Sequence, residues 1–217
     1  ELVSHNKYSW GGGDGDSYDP AISADGRTIT FRSSASDLHN LDTNSTVDVF
    51  ARRLDAGQTL LLSRNSTGTA GGNADSTGAV ISSDGSVVAF TSMAADLVAG
   101  DNDRLEDAFA IALSAGAVEF ISTSNSMTTF PATPGKGTSG AALSGDGRFL
   151  AFSTEEPLLP NDTNAVSDVY VRDRSTGTVS LVSVNRGGSA AGNYPSYLPA
   201  ISNYGGVVTF GINASDL

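Results

Sequence analysis

The sequence contains no cysteine and only two histidines, His5 and His39. The missing thiols exclude disulfides, thiolate metal sites, a cysteine nucleophile and thiol redox chemistry. Two histidines cannot furnish a three-histidine zinc centre. Basic side chains are scarce, with 12 Lys and Arg against 24 Asp and Glu and a formal net charge of −12. Without a basic patch to neutralise phosphates, nucleic acid and anionic membrane surfaces are excluded as partners. No apolar run approaches the roughly 18 residues of a membrane-spanning helix, so membrane insertion is not expected. No charged-then-apolar leader opens the chain at Glu1. Glutamate is rare too, with five Glu among the 24 acids. Asp favours turns, caps and loop metal sites where Glu favours helices. Together with the lack of any 3.6-residue apolar period, this predicts almost no helix.

What the 217 residues do contain is an apolar share of 39%, enough for a core, and an internal repeat. Ala21-Ile22-Ser23-Ala24-Asp25-Gly26-Arg27, running to Phe31, is echoed by Val80-Ile81-Ser82-Ser83-Asp84-Gly85-Ser86, running to Phe90. It returns as Ala142-Leu143-Ser144-Gly145-Asp146-Gly147-Arg148 and as Ala200-Ile201-Ser202-Asn203-Tyr204-Gly205-Gly206. The matching serines Ser23, Ser82, Ser144 and Ser202 lie 59, 62 and 58 residues apart. Two further landmarks keep phase. One is an aspartate-rich segment opening at Asp42, Asp101 and Asp162. The other is an apolar pair ending in Ser4, Ser63, Ser122 and Ser183.

Each repeat holds four short strand-like runs. In the first repeat these are the Pro-Ala-Ile-Ser segment, then residues 27–32, 47–52 and 59–64. Asp-Gly between the first and second runs is a tight-hairpin signal. The expected fold is an all-β propeller of four-stranded antiparallel blades, because one such sheet cannot bury both faces alone. A β-solenoid ranks lower, since its rungs are usually shorter than about 60 residues. The expected division is residues 1–17 as the outer strand of a preceding blade plus linker, and three complete blades over 18–76, 77–138 and 139–197. Residues 198–217 are expected to supply the first two strands of a further blade. The chain then reads as part of a larger ring, as a four-bladed ring, or as half of a two-chain assembly. The recurring Phe31, Phe90, Phe152 and Phe210 are expected in the core between blades.

These motifs, from Pro-Ala-Ile-Ser-x-Asp-Gly-Arg to Asp-Thr-Asn-x-x-x-Asp-Val-Phe and Leu-Val-Ser, resemble the WD-like repeats of TolB-type propellers. The resemblance is greatest to the version in secreted or surface-attached bacterial proteins. It covers the whole chain, with departures at Tyr204 and at Glu155-Glu156-Pro157. It implies an extracellular, periplasmic or cell-surface location and a role as scaffold or binding platform.

The strongest chemical pattern is the thrice-repeated Asp-x-Asn/Asp-x-x-x-Asp. Asp42, Asn44 and Asp48, then Asp101, Asp103 and Asp107, then Asp162, Asn164 and Asp168 are candidate ligands for Ca2+. Calcium wants six to eight oxygens from carboxylates, amides, carbonyls and water. Positions five and six of each segment do not follow an EF-hand. The alternative is that Asp and Asn merely cap turns through backbone N–H groups. The glycine-rich stretch from Trp10 to Asp16 is expected to be a flexible connection, with contact to a sugar or an ion as the other reading. No Gly-x-Ser-x-Gly elbow, phosphate loop or dinucleotide fingerprint occurs. The expectation is a non-catalytic, calcium-stabilised scaffold or binding module with a protein or glycan partner. The alternatives are the propeller portion of a hydrolase-associated or carbohydrate-active enzyme, and a protein that self-associates through incomplete terminal blades.

Overall fold

The structure is a computed structural model and describes residues 1–8, 10–101, 104–123 and 137–217. Among these there is no helix. The first sheet is β1 (Ser17–Ile22), β2 (Thr28–Ser33), β3 (Asp48–Arg53) and β4 (Gln58–Leu61). The second is β5 (Ser76–Ile81), β6 (Val87–Ser92), β7 (Asp107–Ala112) and β8 (Val118–Phe120). The third is β9 (Thr138–Leu143), β10 (Phe149–Thr154), β11 (Asp168–Asp173) and β12 (Thr178–Leu181), followed by the pair β13 (Ser196–Ile201) and β14 (Val208–Ile212). Each is an antiparallel meander in chain order, and each first strand packs on the first two strands of the sheet before it. First strands begin at Ser17, Ser76, Thr138 and Ser196, three residues before the Pro-Ala-Ile-Ser positions. Leu2–Ser4, expected as an outer strand, joins no sheet; the nearest pairing is the isolated bridge between His5 and Gly12.

Side chains alternate across each strand, and the two faces differ in size. In the second sheet Val88, Phe90, Phe109 and Ile111 form a bulky face that packs with Val49, Ala51 and Leu62 of the first. The opposite face, Val87, Ala89, Ala108 and Ala110, receives Leu150, Phe152 and Tyr170 of the third. Bulky face thus meets small face at each junction, which keeps the stack close-packed. Directly opposed aromatic pairs anchor the bulky faces. Phe31–Phe50, Phe90–Phe109 and Phe152–Tyr170 are cross-strand partners with ring centroids 5.7, 5.8 and 6.0 Å apart. Radially repeated four-stranded units with their first strands innermost make a β-propeller array.

Glycine at positive φ makes the hairpin turn after the first strand possible, as at Gly26 (φ 70°). Within the turn, Ser23 Oγ donates to Asp25 Oδ1 at 2.6 Å and accepts the Thr28 N–H. Ser82 and Ser144 repeat the arrangement. Neighbouring turns also join through backbone atoms. The N–H groups of Ala24, Asp84 and Gly145 donate to the carbonyls of Ser83, Gly145 and Asn203 at 2.9, 3.0 and 2.8 Å.

Every first strand carries a β-bulge at its middle, with positive φ at Asp19, Gly78, Gly140 and Leu198. Glycine takes this conformation freely, whereas a side chain there costs about 1–2 kcal/mol. Leu198 is exposed and loses little packing on truncation. Leu198→Gly is therefore expected to stabilise the chain by about 1 kcal/mol in denaturant unfolding. Phe90→Ala, at a fully buried junction, is expected to cost about 3–5 kcal/mol.

Candidate functional site in the aspartate loops

The long connection between the second and third strands of each sheet carries the repeated acids. In the first repeat Asp48 opens β3 and is 0% exposed. Its Oδ1 accepts the Ser63 hydroxyl at 2.5 Å and its Oδ2 accepts Asn44 Nδ2–H at 2.8 Å. Ser63 Oγ in turn accepts the Val49 N–H at 3.0 Å. Asn44 Nδ2 also donates to the Gly72 carbonyl at 2.7 Å, and its Oδ1 caps the Thr46 N–H at 3.1 Å. A carbonyl can only accept, so Gly72 fixes which end of the amide is nitrogen. The loop turns at Ser45, whose φ is 60°, and Arg104 and Ala165 hold the same conformation in the later repeats.

The third repeat preserves the geometry. Asn164 Nδ2 donates to Asp168 Oδ2 at 2.8 Å and to the Gly192 carbonyl at 2.6 Å, and Ser183 donates to Asp168 Oδ1 at 2.6 Å. In the second repeat Ser122 donates to Asp107 Oδ1 at 2.7 Å and accepts the Ala108 N–H. Asp103, at the place of Asn44, lies outside the described residues. The serine ending each fourth run is therefore a working part of the loop. It was visible in the sequence as a repeated landmark, but with no role. A Cβ at Gly71 would run into the Asn44 amide, yet the third repeat accommodates Ala191 at that position with both asparagine bonds intact.

The first acid lies beside this relay, with the Asn44 backbone N–H bonded to Asp42. Asp42, Asp101 and Asp162 are each 5% exposed. The Asp42 amide closes a turn onto the His39 carbonyl. Asp162 accepts the Tyr170 hydroxyl at Oδ2, a bond that Phe50 and Phe109 cannot make in the other repeats. Oδ1 of both Asp42 and Asp162 is buried with no hydrogen-bond partner. For a calcium cage the donor set is mixed. Asn44 turns its nitrogen rather than its oxygen towards Asp48, and both Asp48 oxygens already accept protein donors. Among the described residues no group of three or more His, Asp or Glu is arranged to hold a metal ion.

Burial dominates the electrostatics. It pushes the Asp48 carboxyl up to about 7, opposed by the hydrogen bonds from Ser63 and Asn44. Burial likewise raises Asp42 to about 6, opposed by the Asn44 backbone amide. Asp168 moves up for the same reason. The histidines face elsewhere. His5 Nδ1 contacts the Asn6 carbonyl, and His39 Nδ1 accepts the Leu41 N–H at 3.2 Å. Burial, then the nearby Arg64 and Lys7 charges, lowers the His39 pKa.

No protein-family model and no curated protein matches the chain. Among solved structures the chain superposes on a prolyl endopeptidase with TM-score 0.54 at 12% identity, over 90% of this chain and 26% of that one. An acylaminoacyl peptidase of Pyrococcus horikoshii gives TM-score 0.45 at 12% identity, over 84% and 26%. An ancestral GH74 enzyme gives 0.46 at 16% identity, over 88% and 23%. The chain spans about a quarter of the length of each. At such identities the likeness is one of fold.

Two outcomes follow for the relay. Asn44→Ala leaves Asp48 Oδ2 and the Gly72 carbonyl without their shared donor, and is expected to cost about 2–3 kcal/mol in urea unfolding. The pH dependence has a definite sign. Asp48 and Asp42 bind a proton more readily folded than unfolded, so their contribution is greatest in acid. It is lost as pH rises from about 4 through about 7. Asp48→Asn is expected to flatten the fall in unfolding midpoint across that window; an unchanged slope would assign it to other groups.

Proposed function

We propose that the chain is a rigid, non-catalytic propeller module of the TolB-like kind, from an extracellular or envelope bacterial protein, that presents its loops to a binding partner. One observation carries this reading. The most polar loops of the repeats aim their side chains inward, where Asn44, Asp48 and Ser63 saturate one another and the Gly72 carbonyl. Groups that turn over a substrate converge on a point the substrate can reach, and this relay converges on its own backbone. Its task is to tie the third strand to the connection leading into the next blade. The alternative of a propeller belonging to an enzyme is supported by the partial match to a prolyl endopeptidase. The present chain is expected to hydrolyse neither peptide nor glycoside substrates. Turnover that is abolished by His39→Ala would overturn the non-catalytic reading.

Calcium pinning of the aspartate loops is a second reading, favoured by the unpartnered Oδ1 atoms of Asp42 and Asp162. A hard cation or a buried water would satisfy either oxygen. Thermal unfolding with calcium, with magnesium and with chelator separates the possibilities. Equal midpoints leave the hydrogen-bonded relay as the whole function of the loops. A rise confined to calcium and lost in Asp42→Asn establishes a cation site, worth about 2.7 kcal/mol at a hundredfold excess over Kd.

A further inference from the structure

The connection from Asn6 to Asp14 is the first copy of a loop that recurs at residues 65–73 and 185–193. The expectation of a flexible linker is corrected here, because described residues of the loop are bonded to one another. Asn6 N–H donates to the Gly11 carbonyl at 3.0 Å, and Asn6 Oδ1 accepts the N–H groups of Tyr8 and Trp10, each at 3.2 Å. Asn65 makes the matching bonds to the Ala70 carbonyl and from Thr69 N–H. Asn185 makes them to the Ala190 carbonyl and from Ser189 N–H. The far end is clipped reciprocally to the neighbouring loop. Asp14 N–H donates to Asp37 Oδ1 at 2.9 Å, and Asp14 accepts both the N–H and the hydroxyl of Ser36.

The backbone is shared by all three copies, but the tip is not. Where the later copies carry Thr67 and Thr69, or Gly187 and Ser189, the first carries Tyr8 and Trp10. These rings are 58% and 88% exposed. Their centroids are 5.5 Å apart with planes inclined by 34°, so the two exposed rings pack against each other at a tilt. The exposure belongs to the tip itself. Thr67 and Thr69 are also exposed, in a loop that joins the first sheet to the second. A neighbouring blade therefore does not cover this position. Exposed large aromatics with no packing role mark a contact surface.

We infer that the Tyr8–Trp10 tip is a carbohydrate-binding platform that takes the apolar C–H face of a neutral pyranose. The inference rests on the reading of the chain as a binding module and names its ligand class. Amphipathic rings suit a ligand with one apolar face and a wet rim. Lys7 Nζ lies over the Tyr8 ring, 5.6 Å from its centroid, within reach of the hydroxyls of a sugar held by Trp10 and the open part of the Tyr8 ring. That same contact places a cation of the protein's own over the Tyr8 ring, which disfavours a quaternary ammonium ligand. Asp14 and Asp37 beneath the loop, and the net charge of −12, disfavour anionic glycans. The fixed backbone lowers the ordering cost of binding.

Trp10 is the only tryptophan in the chain, so intrinsic fluorescence reads the platform directly. The chain is titrated with neutral oligosaccharides of glucose, galactose, mannose and N-acetylglucosamine, and separately with a proline-rich peptide. The expected result is a fluorescence shift with at least one neutral glycan. By calorimetry, binding should weaken at least tenfold in Tyr8→Ala and in Trp10→Ala and be partly retained in Trp10→Phe. Unfolding midpoints should be unchanged in all three variants, because the rings are exposed. Absence of any shift at millimolar glycan overturns the inference, as does a response to the peptide alone. Glycan binding that survives both alanine variants also overturns it, while leaving the chain a binding module with its site elsewhere.

Discussion

A single four-stranded sheet has two faces to bury, and the described residues hold no helix to cover either. Everything else in this molecule answers to that constraint. The answer is asymmetric. Aromatic and long aliphatic side chains project from one face, and alanine and valine from the other, so each sheet is both plug and socket for its neighbours. Ala108 and Ala110 are as necessary as Phe152 and Tyr170, because a bulky residue on the receiving face would hold the sheets apart. The stacked Phe90–Phe109 pair fills the space that Val49 and Ala51 leave open. The cost of a truncated ring there is shared between two sheets.

With stacking supplied by apolar faces, the polar loops serve a different need, which is to fix where each strand begins and how the chain passes to the next blade. Asp48 and Asp168 do this from fully buried positions. A buried carboxylate is costly unless its lone pairs are used, and here serine and asparagine use them. The relay spans about 28 residues of sequence, from Asn44 to Gly72 and from Asn164 to Gly192. It therefore couples two loops that are distant along the chain but adjacent in space. The positive φ of Ser45 and Ala165 is tolerated because these bonds over-determine the turn.

The fold was readable before any coordinates because its signals are periodic. Strand alternation in 27–32, the Asp-Gly turns and the phase of Phe31, Phe90 and Phe152 all recur, and repetition amplifies weak local evidence. The relay was half readable. Asp42, Asn44 and Asp48 stood out, but spacing alone does not reveal which way an amide points or that Ser63 lies across the sheet from Asp48. The bulge in the first strands was hidden because two of its four positions are not glycine, Asp19 and Leu198. The glycines of the loop before Asp14 suggest freedom, whereas Asn6 binds the turn closed. Comparison of Asn6 with Asn65 and Asn185 would have shown the match.

The bonds that join neighbouring hairpin turns use only main-chain atoms, from Ala24 to Ser83, from Asp84 to Gly145 and from Gly145 to Asn203. The bonds themselves are made by the main chain, and Ala24, Ser83, Gly145 and Asn203 have diverged at the same position, although a Cβ at Gly145 would run into the Asn203 side chain. For a lineage this separates inheritance of the architecture from inheritance of its surface. Unequal recombination that adds or deletes one whole repeat rejoins the main-chain ladder wherever the meeting side chains leave room, as Gly145 does for Asn203. The number of blades can then drift between descendants while each tip diversifies independently, as the first loop has done with its two aromatic rings.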